Sequence, residues 1–586
     1  MKRILSMISL VCACTLVQAQ TALPPVWQSD TQKEVQVSTR TIAYLPPTRI
    51  VWQETTGDSS IQGLENLLLP GNGQADLFDG QITRIKNGAT GKASFLLDFG
   101  RELQGGIQVV TGRSSKKEMK IRVRFGESVS EAMCDITPEN GATNDHAIRD
   151  FYLTLPWLGV AEIGNSGFRF VRIDLEEPDA ELSLKEIRAT FGYRNIPYLG
   201  SFKCDNERLN DIWMTGAYTV HLNMQEYIWD GVKRDRLVWI GDLHPELMTV
   251  NTVFGYNEVI PKSLDLIRDT TPVPNWMNGI SSYSIWWLLI HKDWYLYQGN
   301  LDYLKEQKEY MTTLFNHLMT KIDENGKEML DGTRFLDWPS SPNVKGVDAG
   351  LQALMVMAMD AGNEMALAMG DKALADRCAK ASKKLKKYIP DHNQSKQGAA
   401  LMALSGLMKA EKADKDVLSV GGAQGFSTFY GYYMLEAMAK AGNFQGAMDI
   451  ISEYWGAMLD LGATTFWEDF HIDWTQNAAR IDELVPEGKV DVHGAYGDYC
   501  YKGFRHSLCH GWASGPTSWL SRHVLGVEVL EPGCKKVRIT PHLGDLKWVE
   551  GTFPTPFGII KIKHEKQANG KVVSDIQVPE GVKLVK

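Results

Sequence analysis

From Thr41 to about Leu199, apolar and polar positions alternate over short runs. Examples are Ser94-Phe95-Leu96-Leu97-Asp98-Phe99, Gly106-Ile107-Gln108-Val109-Val110 and Lys120-Ile121-Arg122-Val123-Arg124-Phe125, separated by Gly, Asp and Asn clusters. Period-two text of that length and spacing predicts the strands of a β-sandwich. At Asp205 the period changes. Residues 206–226 carry Leu209, Ile212, Trp213 and Ala217 on one stripe behind a polar cap, the pattern of a helix buried on one side. Helical periodicity recurs over 243–268, 281–298, 301–322, 348–369, 372–388, 397–408, 427–441, 444–459 and 506–524. Gly299-Asn300, Gly370-Asp371 and Gly442-Asn443 punctuate it, the glycine closing one helix and the polar residue capping the next. Ten or more helices on short loops predict antiparallel neighbours in a bundle, toroid or solenoid. With no repeating signature, a closed toroid is preferred over an open array.

Beyond Gly526 the alternation returns at Val537-Arg538-Ile539, Gly558-Ile559-Ile560-Lys561-Ile562 and Val572-Val573-Ser574-Asp575-Ile576. About sixty residues are few for an independent core, so this small β unit is expected to pack on its neighbours.

Composition narrows the classes of function. The 586 residues are 44% hydrophobic and 23% charged, which excludes a disordered chain and a polytopic membrane protein. Acidic side chains outnumber basic ones 71 to 62, for a formal charge of −9. Nucleic-acid binding depends on Lys and Arg clusters. The basic runs here are short, Ser114-Ser115-Lys116-Lys117 and Lys383-Lys384-Leu385-Lys386-Lys387, the second reading as the wet face of a helix. Lys2-Arg3 precedes an apolar run ending in Val17-Gln18-Ala19, a secretory signal with expected cleavage after Ala19 and a secreted or periplasmic destination. The run is too short for a stable membrane anchor. A lipid on Cys14 is a competing reading, weakened by Cys12 just before the small residue. Six cysteines remain, scattered and without C-x-x-C, so neither a disulfide framework nor a zinc ribbon is predicted. Cys500 and Cys509 could pair in an oxidising compartment; buried thiols are the preferred state.

Tryptophan carries the first chemical hint. Thirteen of the 17 Trp fall between Ser201 and His523, and five of those have a carboxylate neighbour: Trp229-Asp230, Asp293-Trp294, Asp337-Trp338, Trp467-Glu468 and Asp473-Trp474. One reading is an aromatic core with wet carboxylates. The other is a sugar site, where indole faces stack on pyranose C–H faces while carboxylates hold hydroxyls or move protons. Residues 229–242, Trp229-Asp230-Gly231-Val232-Lys233-Arg234-Asp235-Arg236-Leu237-Val238-Trp239-Ile240-Gly241-Asp242, place three carboxylates, three cations and two Trp in a segment whose glycines oppose one continuous helix. It is expected to loop across the mouth of the helical region as a site, the alternative being a surface ion-pair knot. Gly462-Ala463-Thr464-Thr465-Phe466-Trp467-Glu468-Asp469-Phe470 sets Glu468 among aromatics that shield it from water, or at a helix N-terminus where the dipole favours it. His506 and His510, four apart on the expected last helix, lack the intervening Glu of a zincin, so His510 as a pocket residue is preferred to a metal site. Trp286-Trp287 and Phe335-Leu336 read as packing, with Asp337 and Trp338 carried into the pocket wall. There is no G-x-S-x-G, P-loop or dinucleotide fingerprint after a strand, so serine nucleophiles, ATP and hydride transfer have no support and no cofactor is implied.

These residues resemble the α-L-rhamnosidases of glycoside hydrolase family seventy-eight. Leu97-Asp98-Phe99-Gly100-Arg101-Glu102-Leu103-Gln104-Gly105-Gly106, Arg124-Phe125-Gly126-Glu127 and Phe168-Arg169-Phe170-Val171-Arg172-Ile173 resemble its N-terminal β-sandwich. Gly200-Ser201-Phe202-Lys203-Cys204-Asp205 resembles the entry to its six-hairpin toroid, and Trp548-Val549-Glu550-Gly551-Thr552-Phe553-Pro554-Thr555-Pro556-Phe557-Gly558 its C-terminal β domain. The resemblance implies a signal over 1–19, a β-sandwich over 20–200, an (α/α)6 catalytic domain over 201–525 and a C-terminal β-sandwich over 526–586. It implies that Asp235 is the general acid and Glu468 the general base of an inverting glycosidase. Asp230, Arg234, Trp239, Asp242, Asp337, Trp338, Trp467 and His510 would then meet a rhamnose-containing glycan. The family's acid is usually Glu, so Asp235 is a departure, its carboxyl one methylene shorter. A glycosidase of altered substrate, a sugar-binding protein without catalysis and, more weakly, a polysaccharide lyase stand as alternatives.

Overall fold

The computed structural model describes residues 38–77, 80–137, 149–497 and 501–585. The expected signal, Cys14 and Cys500 lie outside them. Among the described residues no helix is long and apolar enough to cross a membrane, and Cys509 is a buried free thiol.

The first layer is a network of nine strands built around Ala93–Thr111. Two of the short runs expected as separate strands are one 19-residue strand. Its first half pairs with Arg49–Thr55, its second with Ala180–Tyr193, and Val160–Leu175 follows it on the other side throughout. Register breaks between Asp98 and Leu103 and between Gly105 and Ile107 bend the strand from one partner to the other. Gly105 is needed at that bend: its φ is 144°, and a Cβ there would lie 2.0 Å from the Thr190 carbonyl oxygen. Phe95, Leu97, Ile107, Val109, Val123, Phe168 and Ile187, all buried, fill the core this network encloses.

The helical region follows. Leu243–Val253 packs on Ser281–Gln298, that helix on Val344–Ala368, then Lys396–Ser405, Gly431–Lys440 and Gly515–Trp519 in turn, and the last returns to Leu243–Val253. Buried aromatics fill the centre, with Trp286 stacked on Tyr433 at 4.6 Å between ring centroids and Phe429 on Trp512 at 4.9 Å. Two expected helices are divided. Residues 243–268 break at Gly255, whose φ of 72° ends Leu243–Val253 before Val259–Thr270 begins. Residues 301–322 divide at Gln307 into Leu301–Glu306 and Lys308–Thr320. The expected helix over 506–524 starts only near Gly511; residues 506–510 are an irregular, bent segment, and Gly231 and His510 form an antiparallel bridge.

The last residues build a three-stranded and a four-stranded sheet. The latter takes an edge strand from far upstream, Ser201–Cys204, paired with Val549–Thr552. Val549, Phe553, Ile560 and Ile562 share one buried cluster with the helices, so this unit has no separate core, as its size requires.

Candidate active site

The segment from Gln225 to Gly241 is a loop, and the chain ties it down on both sides. The Leu237 amide donates to Asp230 Oδ1 at 3.0 Å and the Asp230 amide to the Leu237 carbonyl at 3.1 Å, closing the loop on itself. The Gly167 amide of the first layer donates to the Val232 carbonyl at 2.8 Å, and Arg236 Nη1 to the Asn165 carbonyl at 2.7 Å. The Gly511 amide donates to the Asp230 carbonyl at 2.8 Å. Between these ties Asp235 and Arg236 adopt left-handed backbone, with φ of 54° and 53°, a conformation that most non-glycine residues avoid and that Asp tolerates better than bulkier ones.

Arg234 joins the two halves of the site. Its Nη1 donates to Asp235 Oδ1 at 3.1 Å and its Nη2 to Glu468 Oε1 at 2.6 Å. Terminal nitrogens of one guanidinium are close together, so the two carboxyl oxygens it holds are at most roughly 8 Å apart. The guanidinium stacks over Tyr501 at 4.8 Å. Burial opposes its charge, but Glu468 and Asp235 outweigh that and hold it above the ordinary arginine range.

Glu468 is fixed from behind. Its other oxygen accepts the Ser507 amide at 3.2 Å, its own amide donates to the Ser507 carbonyl at 3.0 Å, and its carbonyl accepts Trp512 Nε1 and Thr428 Oγ1 at 2.9 and 2.6 Å. No helix begins there, so the helix-terminus reading of this carboxylate does not apply. His510 Nε2 lies 3.4 Å from Glu468 Oε1, 3.7 Å from Asp230 Oδ2 and 3.9 Å from Asp242 Oδ2. Burial, reinforced by Arg234, lowers the His510 pKa well below the usual imidazole range. Asp230 and Asp242 are fully buried and raised well above the usual carboxylate range, first by desolvation. Asp242 and Asp235 add to the effect on Asp230, and Glu468 and Asp235 to that on Asp242, against a 2.7 Å hydrogen bond from Tyr283 to Asp242.

The other expected site residues divide. Asp337, Trp338, Ser427, Thr428, Tyr501 and Trp512 line a small space beside Glu468. Asp337 is already engaged, accepting from Ser427 Oγ, the Ser340 amide and Gln397 Nε2 at 2.6, 3.0 and 3.2 Å, while desolvation raises its pKa. Trp239 is half-buried and edge-on to Tyr283. Trp467, only 1% exposed, turns edge-on to Phe470 and His506 and supports Glu468 from behind. His506 takes the Asp469 amide on Nε2 at 2.9 Å. Outside any helix, it does not share a helix face with His510, so the paired-histidine geometry considered for zinc is not formed. Glu127, Glu131 and His493 cluster closely enough for a cation, but the Lys233 ammonium already lies 3.0 and 3.1 Å from the two carboxylates.

Sequence reasoning missed Tyr283, Ser507 and Glu246. Glu246 was findable: one helical turn after Asp242 it adds a carboxylate beside the same site, buried and raised well above its ordinary pKa by desolvation, then by Asp242 and Asp230. Tyr283 and Ser507 reach the site only through tertiary contacts.

A loop rich in carboxylates, closed against a helical ring and facing a carboxylate paired to the loop's own arginine, defines the class of a glycosidase-like site. Residues 197–524 match the family model of the bacterial alpha-L-rhamnosidase 6 hairpin glycosidase domain, and residues 526–585 that of the bacterial alpha-L-rhamnosidase C-terminal domain; the chain belongs to this family. An alpha-L-rhamnosidase of Alteromonas sp. (strain LOR) is 23% identical over 548 residues, covering 85% of this chain and 56% of that protein. The GH78 family rhamnosidase of Bacillus sp. GL1 superposes with a TM-score of 0.70 at 23% identity, over 89% of this chain and 55% of that one. A Klebsiella oxytoca rhamnosidase with rhamnose bound gives 0.62 at 18% identity, over 82% of this chain and 96% of that one. The chain thus spans little more than half the length of the first two relatives.

Proposed function

We propose that this protein is a secreted, inverting α-L-rhamnosidase on an (α/α)6 toroid between β-sandwich units, acting on a rhamnose-containing glycan. The observation that carries the reading is the Arg234 bridge between Asp235 and Glu468, with Asp230, Asp242 and His510 gathered around it. Asp235 donates its proton to the leaving glycosidic oxygen, and Glu468 takes one from a water attacking the opposite face of the anomeric carbon. The upper bound of roughly 8 Å set by the shared guanidinium overlaps only the lower part of the separation of about 6.5–9.5 Å that leaves room for that water. Asp230 and Asp242 hold sugar hydroxyls. Names of the relatives and the bound rhamnose of the Klebsiella oxytoca protein support rhamnose as the sugar. Secretion rests on the sequence of residues 1–19.

Proton NMR of the sugar first released from an α-L-rhamnoside tests sugar, hydrolysis and stereochemistry together. The β-anomer is expected. Appearance of the α-anomer would replace inversion by retention, and no release from any α-rhamnoside would remove the activity. The second reading, a sugar-binding homologue, draws on Asp235 itself, the short carboxyl tied to Arg234. Rhamnoside binding without turnover is its signature.

A further inference from the structure

The first layer reaches into the site through a buried ionic cluster that the proposed chemistry does not use. Lys233, two residues before Asp235, extends away from the pocket toward Glu127 and Glu131, which lie at the end of strand Glu118–Gly126 and in the short helix Val129–Met133. All three side chains are at most 3% exposed. The ammonium also donates to the Phe504 and His506 carbonyls at 2.8 and 2.5 Å, so four acceptors from two distant segments converge on it. Glu127 in turn accepts the Leu508 amide at 2.6 Å and Ser507 Oγ at 3.2 Å. Ser507 is the residue whose amide and carbonyl clamp Glu468.

A continuous path therefore runs from Glu127 through Ser507 to Glu468, and a second from Glu127 through Lys233 into the backbone that carries Arg234 and Asp235. We propose that Glu127 is a positioning residue which sets both carboxyls at once, so that the first layer completes the active site. Three physical points support this. Residues 506–510 lie outside any helix that could satisfy their amides, and Glu127 and Glu468 take two of them. The left-handed backbone at Asp235 and Arg236 needs flanking anchors, which Lys233 on one side and the Arg236–Asn165 contact on the other supply. A buried ammonium stripped of a carboxylate is costly, so the cluster holds as a unit. The charged and titratable groups around Glu127 are Glu102, Glu131 and Arg149 of the first layer, Lys233 of the loop, and His493, His506 and Cys509 of the later segments. Burial, offset by Lys233 and reinforced by Glu131, pushes Glu127 up to about 7, while Arg149 and Lys233 overcome burial to hold Glu131 at about 2.

The inference rests on the rhamnosidase reading, and its test keeps the two apart. In the full-length protein, Glu127→Gln keeps the shape but turns an amide N–H toward groups that already donate. Its kcat on an aryl α-rhamnoside is expected to fall at least tenfold with KM changed less than twofold. Its kcat–pH profile departs from that of wild type, because the clamp that Ser507 places on Glu468 loosens. Glu127→Asp, which retains the charge, recovers part of kcat. A drop in kcat matched by the loss of folded protein, with a pH profile superimposable on wild type, overturns the proposal. If wild type itself releases no rhamnose, the function reading fails, and a crystal structure of Glu127→Gln decides the inference. Displacement of residues 506–508 and of the Glu468 carboxylate supports it, and unchanged positions refute it.

Discussion

Glu246 is 1% exposed, and its Oε1 has no hydrogen-bond partner among the described residues. Such a carboxyl holds its proton in the folded chain at pH values where the unfolded chain has lost it. The folded state then binds more protons, so this group's contribution to stability falls as pH rises above about 4.5, its ordinary value, toward the raised folded value. Glu246→Gln removes that penalty. Chemical denaturation at pH 8 should show a gain of roughly 1–3 kcal/mol, shrinking toward pH 4.5; a pH-independent difference would refute the assignment. The two proposed catalytic carboxyls respond differently. Glu468→Gln should lower kcat by about 10²–10⁴-fold for every leaving group. Asp235→Asn should do the same for a sugar or alkyl leaving group, yet cost much less for a nitrophenyl rhamnoside, whose phenolate departs with little protonation. Steady-state kinetics over a leaving-group series checks both, and equal losses across it would remove Asp235 as the acid.

Elements were legible wherever local chemistry decides them. The helix Ser281–Gln298 matches the sequence reading at both ends because Gly299 closes it in left-handed backbone and Asn300 caps the next helix at the Tyr303 amide. Residues 506–510 were misread because the amides of Ser507, Leu508 and His510 donate to Glu468, Glu127 and the Phe466 carbonyl, partners 39 to 381 positions away and invisible to a periodicity. The same limit split Ala93–Thr111 into two runs, since Gly100 and Gly105 read as turn signals when they serve as bends within one strand. Of the candidate site, Asp230, Arg234, Asp235, Asp242, Glu468 and His510 stand in three compact segments legible in the sequence, and the structure brings them together. Glu127 enters the sequence reading only within a run that resembles the β-sandwich. At this scale Gly105→Ala is the sharp test, since its Cβ meets backbone and not a movable side chain. A loss of about 3 kcal/mol or more in unfolding free energy is expected, and a neutral effect would show that the bend is not as tight as described.

The whole molecule is held by surfaces that cross its layers. The C-terminal sheets lack a core of their own, and Val549, Phe553, Ile560 and Ile562 are buried against helical residues. Ending the chain after residue 525 strips that cover and leaves Ser201–Cys204 as an unpaired strand. The truncated chain is expected to be recovered largely as aggregate, measured as the soluble fraction against full length. A soluble monomer with native helical content would contradict this. The Glu127–Lys233 cluster makes the first layer equally hard to remove, since Lys233 would lose both carboxylates that face it.

The edge strand Ser201–Cys204 also sets an order of events. Ser201 and Thr552, hydrogen bonded at 2.9 Å, are 351 positions apart. On the ribosome this strand emerges before every helix of the ring, then waits through the synthesis of the whole helical region for its partner. The ring can gather as its helices appear, but the seam that locks its entrance closes only when the last sheet arrives. That seam therefore cannot close until residues 549–552 have been made, and a ribosome stalled before them carries the helical ring with an open clasp.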